Sequence, residues 1–288
     1  MSEKPLRKAL ALKIAIKALN ATPRYKRALM LALVAEVTVA ASNIKFGPEL
    51  YCGPVKEDHN VLDGFLARVE VMTADLANLA IVSDVTRSSV CVVQGDSRNC
   101  GNLREVSKRA PYATIICSPP YPAEHDYTRN SRLELAFLDH VPDLAALRVI
   151  KKAMIRSHSK GIYVTDSDGE EVAGTSRVMA VVQEIQNKAE LKTHGFARYY
   201  PIVAQEYFGG IKKHLAAVVP LLREDGFSAY VVGDQSSYLG VHIPTAEIIS
   251  ELAREVGFKT ATIEHWRKRW STTNSKNMEE HILVLRKV

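Results

Sequence analysis

The sequence contains no apolar run close to the roughly 20 residues that a membrane-spanning helix needs. Its first 21 residues mix apolar side chains with four lysines and Arg7, so they predict an amphipathic helix and lack the continuous apolar block of a signal peptide. The usual sequence signals for membrane insertion and export are therefore missing. We expect a cytoplasmic protein without membrane contact.

Cysteine is scarce, and the four thiols form no CxxC pair. Cys91 and Cys117 lie in apolar, strand-like runs, where a thiol behaves as a small hydrophobic side chain. The nine histidines form no HxH or HExxH cluster. We expect neither a disulfide framework nor a structural metal.

The charge balance is basic, with 38 Lys and Arg residues against 32 Asp and Glu and a formal net charge of +6. Such a balance suits an anionic partner such as nucleic acid, although many basic proteins bind none. With 288 residues, of which 47% are hydrophobic, the chain can form one large domain or two small ones.

Helical periodicity dominates the first third of the chain. Apolar spacing predicts two helices in residues 5–42 and a third over 61–79, separated by a loop that contains Gly and Pro. Residues 160–174 are polar and rich in Gly, which predicts an exposed insertion or hairpin. Further helices are predicted over residues 131–158, 175–192, 197–223 and 244–256.

Short, nearly continuous apolar runs predict buried parallel strands over residues 89–94, 112–117 and 227–232. Residues 259–265 and 281–287 predict two final strands joined by a polar, basic loop. Strands that alternate with helices indicate an open α/β sheet. In such sheets, ligands bind beyond the carboxyl ends of the strands.

The tetrapeptide Ser118-Pro119-Pro120-Tyr121 directly follows one of these strands. Two prolines fix φ at successive residues and remove two N–H donors, so the corner is stiff and its carbonyl oxygens can accept hydrogen bonds. An exocyclic amine on a nucleobase is a poor nucleophile because its lone pair is delocalised into the ring. Acceptors at Ser118 Oγ and the Pro119 carbonyl would localise that lone pair and stabilise the charge that develops on alkylation. Tyr121 could stack on the base.

The alternative is that Pro-Pro merely ends a strand and Tyr121 packs. That explanation suits an isolated pair of prolines. The whole tetrapeptide after a strand, with a second predicted strand that ends on Gly95-Asp96, favours a chemical site instead.

Residues 96–138 (DSRNCGNLREVSKRAPYATIICSPPYPAEHDYTRNSRLELAFL) resemble the catalytic region of amino-group DNA methyltransferases, whose signature is [Ser/Asn/Asp]-Pro-Pro-[Tyr/Phe/Trp]. The resemblance extends through Tyr207-Phe208, residues 230–234 and residues 280–286. It implies a Rossmann-like class I methyltransferase sheet with an antiparallel last strand, DNA as the partner and S-adenosyl-L-methionine as the cofactor.

The first letter of the signature bears on the target atom. The Ser form is similar to N4-cytosine methyltransferases, whereas adenine-N6 enzymes more often carry Asp or Asn. Cytosine N4 is therefore favoured and adenine N6 stays open. The sequence is also compatible with an RNA base methyltransferase and with a non-catalytic subunit of a split enzyme.

The resemblance also implies roles for single residues. Ser118, Pro119, Pro120 and Tyr121 match the catalytic tetrapeptide, and Asp96 and Ser118 match positions that contact the cofactor. A carboxylate at a strand end can accept a hydrogen bond from the adenine amino group of the cofactor. The alternative for Asp96 is a helix N-cap or a turn.

Cationic residues suggest where DNA would bind. Arg129 follows the tetrapeptide and could line the pocket or read the base. Arg267, Lys268 and Arg269 stand between two tryptophans at the predicted last turn, a pattern that suits phosphate contact and stacking. A solvated charged surface is the alternative at each of these positions.

One element of the family is missing from the sequence. None of the fifteen glycines forms the Phe-x-Gly-x-Gly turn that approaches the methionine part of the cofactor in the family. We therefore expect an N-terminal helical segment over residues 1–85 and a catalytic domain over 86–288, with an insertion near 160–190. The first two strands of the sheet would be absent and would lie on a second polypeptide that carries the cofactor-binding half, or the chain would be a fragment.

Overall fold

The computed structural model describes residues 1–45, 50–81, 89–123, 125–193, 195–271 and 275–287. The chain forms two compact units. The helical unit comprises Met1–Cys91 and Tyr127–Arg148, and the sheet unit comprises Val92–Asp126 and Val149–Val288. The boundary that we predicted at residue 85 thus differs from the division of the structure, which places residues 127–148 with the N-terminal helices. The predicted catalytic domain is a functional assignment and stays a prediction.

The described helices stand in runs along the chain, and five of them lie between the third and the fourth strand. They are α1 (Glu3–Ala18), α2 (Pro23–Glu36), α3 (Val61–Ile81), α4 (Arg104–Ser107), α5 (Tyr127–Asn130), α6 (Arg132–Phe137), α7 (Leu144–Lys152), α8 (Ser176–Glu190), α9 (Tyr200–Val218) and α10 (Thr245–Glu255). The described strands are β1 (Ile44–Lys45), β2 (Tyr51–Cys52), β3 (Tyr112–Cys117), β4 (Leu222–Gly233), β5 (Thr260–Ser271) and β6 (Lys276–Arg286).

The helical unit is built on α1, α2 and α3. Its core holds Leu33, Val37, Val61 and Phe65, all buried at the spacings that the apolar pattern predicts. Glu36 is also buried. Its Oε1 lies 2.6 Å from His59 Nε2, and its Oε2 accepts a hydrogen bond of 2.9 Å from Arg68 Nε. A buried carboxylate needs such partners, because an unpaired charge in the interior is costly.

The sheet unit contains a four-stranded sheet in the order β3-β4-β6-β5. β3 pairs parallel with β4, and β6 runs antiparallel to both β4 and β5. The mixed α/β class, the N-terminal helices and the antiparallel last strand are therefore confirmed. The sheet is compatible with a methyltransferase fold, while its identity as an incomplete class I sheet stays a prediction.

Helix α9 is the central helix of the sheet unit. Its buried side chains include Tyr207, Phe208, Ile211 and Leu215. Helices α8 and α10 and the turn Asp168–Val172 pack against it. The resulting core also contains Tyr230 and Val232, near the carboxyl end of β4.

Residues 89–94 do not form the strand that we predicted. The described backbone there is irregular, and Val90 and Val92 are 83% and 93% exposed. A short apolar run needs a neighbouring strand to become a buried strand, and β3 has no partner on its outer edge among the described residues. Asp96 therefore does not follow a strand in the structure.

Residues 160–174 do not form a hairpin, and only part of the segment is exposed. They form short 3₁₀ turns, and Asp168, Gly169 and Val172 are buried. Gly209 of α9 makes this packing possible, because a Cβ atom there would lie 1.8 Å from the Asp168 carbonyl oxygen. Among its polar side chains, Asp168 is buried and paired with Arg98 and Lys213, whereas Glu170 and Glu171 are exposed.

The last two strands are longer than the sequence predicts. β5 continues to Ser271, so Arg267, Lys268 and Arg269 lie inside a strand and not in a loop. Among the described helices, none is both long enough and apolar enough to cross a bilayer.

Candidate active site

The tetrapeptide forms a corner after β3 in the sheet unit. Ser118 is exposed, whereas Pro119 is buried and Pro120 is half-buried. The Pro120 carbonyl accepts a hydrogen bond of 2.8 Å from the Tyr207 hydroxyl of α9. This bond fixes the corner to the central helix and leaves Ser118 Oγ and the Pro119 carbonyl without a hydrogen bond inside the described part of the protein.

Tyr121 lies beside the end of β4. A Cβ atom built on Gly233 would be 3.2 Å from Tyr121 Cε2 and 3.1 Å from Glu280 Cγ. Only a residue without a side chain leaves both groups in place, since such distances are closer than normal carbon contacts. Gly233 thus makes room for the Tyr121 ring, and the half-buried ring remains beside the corner.

The basic run of β5 is neutralised across the strand pair. Arg267 Nε donates to Glu280 Oε2 at 2.6 Å, and Arg269 Nε lies 3.3 Å from Glu280 Oε1. Lys268 Nζ lies 3.6 Å from Glu279 Oε1. The side chain of Glu280 is 3% exposed, so the two arginines compensate a buried carboxylate. The structure therefore brings Arg267 and Arg269 toward the tetrapeptide through Glu280 and Gly233.

Asp96 caps the 3₁₀ turn Ser97–Asn102. A capping role for Asp96 was the alternative to its predicted contact with the cofactor. Its Oδ1 accepts from the Arg98 backbone N–H at 2.9 Å. The Arg98 guanidinium also contacts both carboxylate oxygens, the shortest distance being 2.6 Å to Oδ2. Burial raises the pKa of Asp96, but the hydrogen bonds from Arg98 outweigh it, and the net shift is downward.

Arg98 continues this network to a second carboxylate. Its Nη1 donates to Asp168 Oδ2 at 2.6 Å, and Lys213 Nζ donates to Asp168 Oδ1 at 2.9 Å. The hydrogen bonds from Arg98 and Lys213 lower the pKa of Asp168 against the opposing effect of burial. Both acids are therefore ionised and paired at neutral pH. The Asp96 carboxylate is a suitable acceptor for an adenine amino group, but Arg98 already contacts both of its oxygens.

His214 connects this network to the sheet. Its Nδ1 is 2.9 Å from the Ser97 carbonyl, and its Nε2 is 3.0 Å from the Tyr230 hydroxyl. Burial lowers the pKa of His214, so the ring is neutral and one nitrogen donates while the other accepts. Sequence reasoning missed Arg98, His214 and Glu280, because each acts through residues that are distant along the chain. Only Arg98 carried a local signal, as a cation two residues after a predicted site carboxylate.

Arg129 lies on α5 in the helical unit. It lines a cavity of about 350 Å³ with Ile44, Leu50, Asn130, Arg132, Leu133 and Ala136. The tetrapeptide and Asp96 belong to the sheet unit. The structure therefore groups Arg129 with the N-terminal helices, and its predicted contact with DNA stays a prediction.

Comparison with known proteins gives one consistent result. Over 162 residues the chain is 28% identical to the Type II methyltransferase M.AvaI of Nostoc sp. (strain PCC 7120 / SAG 25.82 / UTEX 2576) and to that of Anabaena variabilis. The match covers 53% of this chain and 32% of each relative, so the chain spans about a third of their length. No family model and no solved structure matches the chain significantly. The partial similarity supports the methyltransferase family to which the tetrapeptide points.

Proposed function

We propose that the chain is the catalytic part of an S-adenosyl-L-methionine-dependent DNA methyltransferase that modifies N4 of cytosine, with N6 of adenine as the alternative target. The observation that carries the proposal is the corner after β3. It presents a free Ser118 hydroxyl and Pro119 carbonyl beside the half-buried Tyr121 ring. The partial similarity to two Type II methyltransferases supports the same reaction class.

The residues of the corner act on the amine. Ser118 Oγ and the Pro119 carbonyl accept the two amino hydrogens, which localises the nitrogen lone pair and stabilises the positive charge of the transition state. Tyr121 stacks on a base that has left the duplex, and such stacking contributes about 1–3 kcal/mol. S-adenosyl-L-methionine would supply the methyl group in one in-line displacement, so no covalent bond between enzyme and base is needed.

The described residues do not complete a cofactor site. Asp96 has both oxygens engaged by Arg98, and the sequence holds no Phe-x-Gly-x-Gly turn. We assign to this chain the handling of the base and only part of the cofactor contacts.

The reaction is tested with tritiated S-adenosyl-L-methionine and a nucleoside analysis of the product. Duplex DNA is compared with structured RNA, which separates DNA methylation from RNA base methylation. The expected product is N4-methylcytosine in DNA. Label found only in RNA, or in the ring carbon of cytosine, would contradict the proposal.

A second polypeptide is proposed to supply the missing half of the sheet. Strand β3 stands at the edge of the sheet, Ile116 in this strand is 79% exposed, and Val92 is almost fully exposed. β-branched residues of a parallel sheet are normally covered on both faces, and an unpaired strand edge is a template for another strand. The strand that pairs with β3 would come from the polypeptide that holds the glycine-rich turn.

This arrangement predicts weak cofactor binding by the isolated chain. We expect calorimetry to give a Kd for S-adenosyl-L-methionine above about 1 mM, a free energy near −4 kcal/mol, because most cofactor contacts are missing. Addition of the second polypeptide should tighten binding and start methyl transfer. Micromolar binding by the chain alone would rule out a divided cofactor site.

The basic run of β5 is proposed to contact DNA phosphates. Lys268 is 61% exposed and only loosely paired, so Lys268→Ala should weaken binding equally for all DNA sequences and reduce the salt slope by about 1. Salt-dependent fluorescence anisotropy measures both effects.

Two further variants make the measurement decisive. Lys188→Ala, on the exposed face of α8, is the matched control and should leave the slope unchanged. Arg267→Ala should also lower stability, because it removes the closest partner of the buried Glu280. An unchanged slope in Lys268→Ala would exclude the phosphate contact.

A further inference from the structure

The last two strands continue past the rest of the sheet as a two-stranded ribbon. Strand β4 ends at Gly233, which pairs with Glu280 of β6. Beyond this point β5 and β6 form four further residue pairs, which end at Ser271 and Lys276, and no other described strand pairs with them. At about 3.4 Å per residue, these pairs reach roughly 14 Å past the end of β4. We call residues 266–271 and 276–280 the ribbon.

The ribbon begins beside the corner after β3. Strands β3 and β4 are parallel, so their carboxyl ends lie at the same edge of the sheet. At that edge, a Cβ atom built on Gly233 would be 3.2 Å from Tyr121 Cε2 and 3.1 Å from Glu280 Cγ. The ribbon therefore projects from the edge that carries the tetrapeptide, next to the ring that is proposed to stack on the base.

Both tryptophans of the chain lie in the ribbon and are open to solvent. Trp266 is 47% exposed and Trp270 is 60% exposed. Tryptophan is highly buried on average, because its ring system is a large apolar surface. Two exposed rings on one projecting strand are therefore suited to contact a partner, and their flat faces are suited to stacking.

The charge of the ribbon indicates the chemistry of that partner. The Arg267 guanidinium carbon is 4.2 Å from the centre of the Trp266 ring. Cations beside aromatic rings disfavour a cationic partner and suit a strand that carries both phosphates and flat bases. Within the ribbon, four cations stand against two carboxylates, namely Arg267, Lys268, Arg269 and Lys276 against Glu279 and Glu280.

We propose that the ribbon binds DNA and that Trp270 stacks on a base that has lost its pairing or stacking partner. A two-stranded β-ribbon fits the major groove of duplex DNA. Extrusion of a base exposes the faces of its neighbours, and Trp270, near the outer end of the ribbon, would cover one of them. The choice of DNA rests on the proposed function, whereas the binding itself needs no methyl transfer.

Tryptophan fluorescence tests the stacking directly, since both tryptophans of the chain lie in the ribbon. The whole chain is titrated with a duplex oligonucleotide of mixed sequence and with the same duplex carrying a run of unpaired cytosines. The titrations are made at high salt, where phosphate contacts contribute little. We expect the DNA with unpaired bases to quench the fluorescence and to bind about 5- to 100-fold more tightly than the perfect duplex.

Variants separate stacking from phosphate contact, and their binding is followed by anisotropy of labelled DNA. Trp270→Ala should remove the preference for unpaired bases and leave the salt slope unchanged. Trp270→Phe keeps a flat ring and should retain most of the preference, whereas Lys268→Ala should lower the slope and keep the preference. Phe196→Ala is the matched control, because that ring is 52% exposed in the same unit but lies outside the ribbon.

The outcomes distinguish the ribbon from the proposed reaction. Equal affinity for the two DNAs, unquenched fluorescence or an undiminished preference in Trp270→Ala would overturn the inference. Tighter binding of structured RNA would also overturn it, as would an equal loss of heparin binding in Trp270→Ala, because heparin carries charge without bases. If methylation fails while the preference for unpaired bases is present, the proposed reaction is refuted and the ribbon is supported.

Discussion

Ser118→Ala should lower kcat for methyl transfer by about 10²–10³-fold, with little change in KM for DNA. The hydroxyl is one of two acceptors that the corner offers to the amine. It stabilises the positive charge on the amine nitrogen, and this charge exists mainly in the transition state. The Pro119 carbonyl and the Tyr121 ring stay in place, so binding of the flipped base is retained. Single-turnover kinetics with the complete enzyme measures the chemical step directly.

Two further variants decide what a loss of activity in Ser118→Ala means. Ser118→Asp restores a strong acceptor at the same position and should recover part of the rate. Ser107→Ala is the matched control, because that exposed hydroxyl bonds only to carbonyl oxygens at Leu103 and Arg104, around its own helix α4. A rate within threefold of the parent for Ser118→Ala would show that the corner does not activate the amine.

Local pattern was sufficient to predict the elements that carry the corner. The apolar run at residues 112–117 coincides with β3, and the run at 227–232 lies inside β4. Helix α8 at Ser176–Glu190 and helix α10 at Thr245–Glu255 begin and end within two residues of their predicted bounds. Each of these elements packs against a partner inside the same unit. The apolar pattern of its own sequence therefore predicts its secondary structure correctly.

The wrong secondary-structure predictions depend on neighbouring strands and charged partners that the sequence of a single segment does not show. Residues 89–94 have the composition of a buried strand, but a strand also needs a neighbour, and Val92 is instead exposed. The run from Arg267 to Arg269 looked like a loop because charge was concentrated there. The carboxylates that neutralise it, Glu279 and Glu280, stand on the next strand.

The same reasoning explains the site. Tyr121 could be proposed from the tetrapeptide alone, since proline geometry is a local property. The residues that hold it, Tyr207, Gly233 and Glu280, come from three other elements, and only the folded sheet brings them together. Asp96 was found by position, but its pairing with Arg98 depends on side-chain conformation and was not predictable from spacing.

Gly209→Ala should lower the free energy of unfolding of the sheet unit by at least about 3 kcal/mol, which is the upper range for overpacking of a core. A Cβ atom at this position would lie 1.8 Å from the Asp168 carbonyl oxygen and 2.3 Å from its carbonyl carbon, and the backbone cannot yield as a side chain can. The clash outweighs the roughly 1 kcal/mol that alanine gains over glycine in a helix.

The adjacent Gly210 supplies the control. It lies in the same helix, so replacement by alanine brings the same gain in helix propensity. A Cβ atom there would meet only side-chain atoms of Asp168 and Ile155 at 3.2 Å, so Gly210→Ala should stay within about 1 kcal/mol of the parent. Thermal unfolding should therefore show a melting temperature lowered by about 6–12 °C for Gly209→Ala and nearly unchanged for Gly210→Ala. Because Asp168 anchors Arg98, which holds Asp96, Gly209→Ala should also weaken any cofactor contact that passes through Asp96. Equal melting temperatures for the two variants would mean that the Asp168–Val172 turn does not rest on α9.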